Sequence, residues 1–142
     1  MRYMIIVKAN EQSEAGVPPS SETIAAMGRF NEDLIAAGVL LAADGLHPSS
    51  NGARLRYEGG KIKITDGPFT EAKELVAGYW LIDVKSKDDA MAWAKRIPFE
   101  DGQEVELRKA FEAADFAVDS VTDEHLAKEK AWREQNQKPL GH

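Results

Sequence analysis

Apolar and polar positions alternate with two different periods along this chain, and the switches between them mark out its elements. Residues 3–7, Tyr-Met-Ile-Ile-Val, form an unbroken apolar run rich in β-formers and predict a strand buried on both faces. Residues 9–19 are polar, close on Pro18-Pro19 and read as a loop. Ser20 or Ser21 then caps a helix in which Ile24, Met27, Leu34 and Ile35 recur at helical spacing, with Phe30 beside the same stripe. Gly38 ends it as a left-handed residue just past the helix. Val39 to Ala43 is the next strand, stopped by Asp44-Gly45-Leu46-His47-Pro48, and residues 49–52 form a loop.

Residues 54–65 carry the clearest local signal. Gly59-Gly60 separates two alternating segments and predicts a two-residue hairpin. In that register Tyr57 faces Ile62 and Leu55 faces Ile64 on one side, with Glu58 against Lys61 and Arg56 against Lys63 on the other. Two cations directly opposite are unfavourable unless solvent or an anion relieves them. The polar side is therefore either a solvated face or an anion-binding strip. Asp66-Gly67-Pro68-Phe69 breaks the second strand, and Thr70 caps a short turn with Glu71, Lys73 and Glu74. Tyr79 to Val84 is a further strand, with Trp80, Ile82 and Val84 on one face and Tyr79, Leu81 and Asp83 on the other.

Ser86 and Asp89 have the spacing of a capping box. The helix that follows places Ala90, Trp93, Ala94 and Ile97 on one stripe and stops at Pro98. Glu104 to Arg108 alternates as a last strand with Val105 and Leu107 inward. After an irregular stretch from Phe111 to Asp119, Thr122 caps a very polar helix running to about Gln135, with only Leu126, Ala127 and Trp132 as a weak apolar set. The expected domains are residues 1–118 and a polar helix and tail at 119–142.

Removing the hairpin leaves β-α-β-β-α-β, the split pattern of a ferredoxin-like α+β fold with an antiparallel sheet. Helices on one side of such a sheet leave its second face bare. Trp80, Ile82 and Val84, or their neighbours, are expected to line that bare face. An exposed apolar patch of this kind marks an interface, so a homodimer with sheets packed face to face follows.

Composition narrows the chemistry. With 142 residues and no cysteine, one domain with a tail fits, and disulfides, thiolate metal sites and cysteine nucleophiles are excluded. A formal charge of -6, from 24 acids and 18 bases, argues against a general nucleic-acid binder. The apolar run at the N-terminus is too short for a signal peptide, and no stretch approaches the ~20 apolar residues of a membrane span. A cytoplasmic protein is expected. There is no phosphate loop, no glycine-rich dinucleotide turn, no Gly-x-Ser-x-Gly elbow, and His47, His125 and His142 are too scattered for a metal site. Neither cofactor nor metal is expected.

Asp66-Gly67-Pro68-Phe69-Thr70-Glu71-Ala72-Lys73-Glu74, followed by Gly78-Tyr79-Trp80-Leu81-Ile82-Asp83, resembles the signature of the DGPF branch of the YCII-related proteins. Met1-Arg2-Tyr3-Met4, Ala37-Gly38-Val39-Leu40, Gly45-Leu46-His47-Pro48 and Val105-Glu106-Leu107-Arg108 resemble it in the same order, over roughly residues 1–118. The resemblance implies a ferredoxin-like protomer in a dimeric α/β barrel. It implies no settled function. Some DGPF proteins look like companions of extracytoplasmic-type sigma factors, encoded beside them. Other YCII-related proteins resemble small-molecule enzymes that use a histidine–aspartate pair, a dehydrochlorinase of chlorinated aromatic breakdown among them. There the histidine lies in the first helix, about three turns before its terminal glycine. Counting back from Gly38 lands on or near Met27, and no histidine occurs between residues 1 and 46.

The candidate site therefore centres elsewhere. Asp66, at a strand end before Gly-Pro, is either an Asx-type turn residue or a general base at the mouth of a cleft. His47, held extended by Pro48, is either a surface turn residue or the partner that recreates a His–Asp pair with Asp66. Phe69 plugs the core or stacks on a substrate. Glu71 and Glu74 are solvated, or one turns in beside Asp66, where paired carboxylates raise one pKa. Tyr79 and Trp80 are candidate pocket walls, and Tyr3 is a core tyrosine or a polar contact. Two functions follow. One is binding of a small organic molecule, extending to cofactor-free acid–base catalysis. The other is a regulatory or interaction partner, linked to a sigma factor.

Overall fold

The computed structural model describes residues 1–116 and 120–141, leaving aside the side chains of Lys73 and of residues 120–122. The domain boundary expected at 118–119, Lys73 of the charged cluster and the capping side chain of Thr122 lie outside the described residues. The elements run β1 (Arg2–Lys8), α1 (Glu11–Glu14), α2 (Ser21–Ala36), β2 (Leu40–Gly45), β3 (Ala53–Glu58), β4 (Lys61–Asp66), β5 (Val76–Asp83), α3 (Lys87–Ala94), β6 (Val105–Lys109) and α4 (Ser120–Asn136).

Four strands form one antiparallel sheet in the order β2-β5-β1-β6, and β3 with β4 forms a separate two-stranded sheet. This α+β arrangement is consistent with a ferredoxin-like fold. The hairpin keeps the register read from its alternation, with Tyr57 opposite Ile62 and Arg56 opposite Lys63. Gly59 and Gly60 both hold positive φ, as a primed two-residue turn requires.

The sequence signals at helix ends act as expected in α2. Ser20 accepts a hydrogen bond from the Thr23 amide, and Gly38, at φ 70°, lets its own amide and that of Val39 close back on Ile35 and Leu34. Four local expectations change. Residues 9–19 are not one loop, because Asn10 and Ser13 cap each other across the short helix α1. Thr70 does not cap the turn at 72–74, which has Glu71 at its start and no side-chain cap. Ser86 accepts from the Asp89 amide, which is one half of the expected box. The fourth helix starts at Ser120, so Thr122 lies inside it.

Tyr3, Ile5, Phe30, Leu34, Leu40, Trp80, Ile82, Val84 and Ala90 form the core between the sheet and helices α2 and α3. Ile5, Leu34 and Ile82 have no solvent access, and full burial of such a side chain contributes about 1.5–3 kcal/mol. The face of Trp80, Ile82 and Val84 is therefore the covered one, so of the two faces that the alternation allowed as the bare one, the neighbouring face with Leu81 is the outer one. Alternation separates the two faces of a strand but does not say which one the helices take. Here both faces of β5 are apolar, and the Phe30–Leu34 ridge of α2 covers the one with the larger side chains.

The outer face carries Met4 and Ile6, both half-buried, and Leu81, which with Leu41 is 8 % exposed yet stands outside the core. Helix α4 returns over one end of that face. The Arg2 guanidinium donates to Gln137 and to the Phe111 carbonyl, and the Leu140 amide donates to the Leu40 carbonyl at the sheet edge. The hairpin stays apart from both layers. Leu55, Tyr57, Ile62 and Ile64 form its apolar side and are 51 to 75 % exposed.

Candidate functional site

A cavity of about 610 Å³ opens between α2, the segment 10–19 and the end of the sheet where β1 finishes and β5 begins. Its floor is Val7, Ala43 and Trp80 together with Gly45 and Gly78, which face each other across β2 and β5 and project no side chain. Its roof is the stripe Ile24, Met27, Gly28 and Asn31 of α2. Val17, Pro18, Pro19, Gln12 and Ser13 make one wall, and Phe99 with Gln103 the other.

The space exists because small residues meet there. A Cβ placed on Gly28 would find nothing within 4 Å. Trp80 is locked at the base of the cavity by Phe30, edge-on at 5.5 Å between ring centroids, and by Phe99 at 6.2 Å. Its indole N–H donates to Asn31 Oδ1 at 2.8 Å across 49 positions of sequence. Only Asp44 and Tyr79 among the described lining residues carry ionisable side chains. Strand alternation turns both of them to the outer face, opposite Ala43 and Trp80. There the Tyr79 hydroxyl donates to Asp44 Oδ2 at 2.8 Å, and this bond, with desolvation and the nearby negative charge, raises the tyrosine pKa above its usual value.

Of the residues singled out from sequence, Trp80 and Tyr79 border this cavity, and Tyr3 sits in the core instead. Asp66, His47, Phe69, Glu71 and Glu74 are not among its lining residues. Asp66 and His47 are both exposed, and His47 Nδ1 pairs with the Asn51 amide at 2.9 Å rather than with Asp66. Glu71 and Glu74 are exposed as well, while Phe69 is half-buried with the Arg54 guanidinium 3.9 Å above its ring.

The Asp66–Phe69 bend has a clear structural task. The Gly67 amide donates to the Gly52 carbonyl, the Phe69 amide to Ser49 Oγ at 3.0 Å, and Ser49 in turn donates its hydroxyl and amide to the Glu14 carboxylate at 2.5 and 3.0 Å. The bend thus clips the hairpin base to α1, the same segment that walls the cavity. Gly67 packs so closely that a Cβ there would fall 1.7 Å from the Ser49 carbonyl oxygen.

Asn31 and Gly28 were not anticipated. A signal for them exists in the sequence: Asn31 interrupts the apolar stripe of Ile24 and Met27 at the seventh position, where a polar residue facing the sheet needs a partner. Met27 lies in the roof beside them.

A second cavity of about 470 Å³ lies under α4 and is lined by Arg2, Leu41, Phe111, Phe116, Leu126 and Arg133 among others. Burial lowers the Arg133 pKa, the neighbouring Arg2 charge lowers it further, and Glu112 partly offsets both. Among the described residues no group of three or more His, Cys, Asp or Glu could hold a metal ion, and no helix is long and apolar enough to cross a membrane.

The chain is 39% identical over 63 residues to the uncharacterized protein R00369 of Rhizobium meliloti (strain 1021), a match covering 44% of this chain and 51% of that protein. The chain thus spans about half the length of this curated relative. Among solved structures it is similar to 5-chloro-2-hydroxyhydroquinone dehydrochlorinase from Burkholderia phenoliruptrix AC1100 in complex with 2,5-dihydroxybenzoquinone, at 15% identity over 82% of this chain and 100% of that one. The TM-score is 0.39, a likeness too distant to transfer any residue's role. The family model of the YCII-related domain matches residues 1–114, and with that span matched, the chain belongs to the YCII-related family.

Proposed function

We propose that this protein binds a small, largely apolar organic molecule in the cleft between α2 and the sheet. The observation that carries the reading is the cleft itself. Its volume of about 610 Å³ lies inside the range of about 300–1,000 Å³ typical of small-molecule sites. Its apolar and aromatic walls, with a few neutral polar groups, have the composition of such a site. Since Asp44 and Tyr79 turn away, the cleft supports recognition better than acid–base turnover. A catalytic role for Asp66 and His47 would need a second site around the bend.

Gly28→Leu tests this. The leucine grows from the helix into open space, and replacing a mid-helix glycine stabilises the helix by up to about 1 kcal/mol. Compounds found by thermal-shift screening of the wild type should lose at least tenfold in affinity, with the melting temperature of the free protein held or raised. Undiminished binding in the variant would place the ligand elsewhere.

A homodimer is the second reading, and the exposed strip of Leu55, Tyr57, Ile62 and Ile64 favours it. A lone two-stranded ribbon is marginal in water, and an apolar strip of this kind calls for a cover. We read the hairpin strip, with Met4, Ile6 and Leu81 of the outer face, as the surface that a second copy covers in a cytoplasmic dimeric α/β barrel of the DGPF branch. Sedimentation should give twice the chain mass at micromolar concentration, and a monomer there removes this reading. A sigma-factor link rests on the family resemblance alone.

A further inference from the structure

We infer that the molecule held in this cleft is uncharged and carries an acceptor oxygen, which the Asn31 side-chain amide reads. The inference rests on the cleft being the binding site and adds the chemistry of its occupant. An indole N–H is a donor only. The hydrogen bond of 2.8 Å from Trp80 Nε1 therefore requires the oxygen end of the Asn31 amide, and fixes which way that amide is turned. Trp80 cannot rotate away, because Phe30 and Phe99 pack against its ring at 5.5 and 6.2 Å. Asn31 lines the cavity, and among the described residues no group accepts a hydrogen bond from its Nδ2. What it offers an occupant is thus a pre-oriented N–H pair. A carbonyl, ether or hydroxyl oxygen satisfies it, whereas a hydrocarbon or an ammonium group does not.

The walls decide the charge. The remaining lining side chains are apolar, aromatic or neutral amides and hydroxyls, and among the described residues no lysine, arginine or histidine lines the cleft to pair an anion. The one carboxylate at the border, Asp44, is turned to the outer face and bonded to Tyr79. A charged ligand entering such walls loses hydration without a counter-charge. An uncharged ring system bearing a carbonyl loses little and gains the Asn31 bond.

Four matched probes separate the alternatives: 1-tetralone, tetralin, 1-aminotetralin and tetralin-1-carboxylate, titrated calorimetrically into wild type, Asn31→Asp and Gly28→Leu. The wild type should bind 1-tetralone at least tenfold tighter than tetralin, and both charged probes more weakly than tetralone. Asn31→Asp keeps an oxygen for Trp80 but exchanges the donor for a negative charge, so preference should pass to 1-aminotetralin, a reversal that a purely structural asparagine would not produce. Asn31→Gln, which keeps the amide one methylene longer, serves if the aspartate variant fails to fold, and should retain tetralone over aminotetralin with reduced affinity. Tetralin binding as tightly as tetralone, or a charged probe binding best to the wild type, overturns the inference while leaving the cleft as the site. Binding that persists in Gly28→Leu, or no binding of any probe, overturns the inference together with the cleft reading.

Discussion

Gly67 and Gly28 stand in the two regions to which this chain's chemistry draws attention, and a methyl group would fare very differently at each. At Gly67 it would run into the Ser49 backbone, with the carbonyl oxygen 1.7 Å away. At Gly28 it would meet nothing within 4 Å. The first glycine closes a contact and the second keeps a space open. The Asp-Gly-Pro-Phe bend is the more conspicuous in sequence, yet its groups are spent on one another: Gly67 on Gly52, Phe69 on Ser49, Ser49 on Glu14. The cleft is built from residues with no motif at all, and the Asn31 amide lines its open space. A distinctive string is thus no guarantee of a reactive one. A bend that must admit backbone at close range restricts its residues as tightly as a catalytic site does.

The sharpest way to break the comparison is Gly67→Ala. The Cβ cannot be accommodated unless the turn at Ser49–Asn51 moves, and forced overpacking of this kind costs about 3 kcal/mol. Urea denaturation should show that loss, while Gly28→Leu shows none. A stable Gly67→Ala protein would mean that the bend is looser than the contact implies.

Ser49→Ala comes next. It removes the hydroxyl that donates to the Glu14 carboxylate and accepts from the Phe69 amide. Two partly exposed hydrogen bonds, one to a charged group, should cost about 1–2 kcal/mol in chemical denaturation. Because Glu14 ends the helix that walls the cleft, 1-tetralone affinity should fall as well, by a few-fold. Stability lost with binding untouched would separate the bend from the cleft.

A smaller effect is expected from His47→Gln and Asp66→Asn. Both side chains are exposed and off the cleft, and changes of this type stay within about 0.5 kcal/mol. Affinity for 1-tetralone should change less than twofold in each. A tenfold loss in either would return the pair to the site and overturn the separation of clip from cleft.

How much of this was legible follows from the range of the interactions. The hairpin register could be read because Gly59-Gly60 and the flanking alternation are local and agree with each other. The ends of α2 could be read from Ser20 and Gly38 for the same reason. The cover of Trp80, Ile82 and Val84 could not, since both faces of β5 are apolar and the choice is made by helices elsewhere in the chain. Neither could the cleft. It depends on Gly28, Gly45 and Gly78 coming together, and on a bond between Asn31 and Trp80 that no local spacing encodes. In residues 9–19 the polar composition and Pro18-Pro19 are strong loop signals that mask the reciprocal-cap spacing of Asn10 and Ser13.

The finest test concerns Tyr79, whose side chain divides inner from outer face at the border of the cleft. Its hydroxyl donates to Asp44, and that bond, then desolvation, then the carboxylate charge, hold its pKa above the ordinary 10.0. A pKa higher in the folded than in the unfolded chain means that folding favours the protonated phenol. The associated stability is present in full below the unfolded value and is lost as pH rises through the folded one. Because the pair is exposed, only a slight steepening of alkaline unfolding is expected. Phenolate absorbance should nevertheless show Tyr79 titrating above its ordinary value, and Asp44→Asn should bring it back down toward that value. The same variant should leave 1-tetralone affinity unchanged, because the carboxylate stands on the far side of the sheet from the occupant. If Asp44→Asn alters that affinity as well as the titration, the carboxylate reaches around the β2 edge into the cleft, and the neutral character assigned to its walls is wrong.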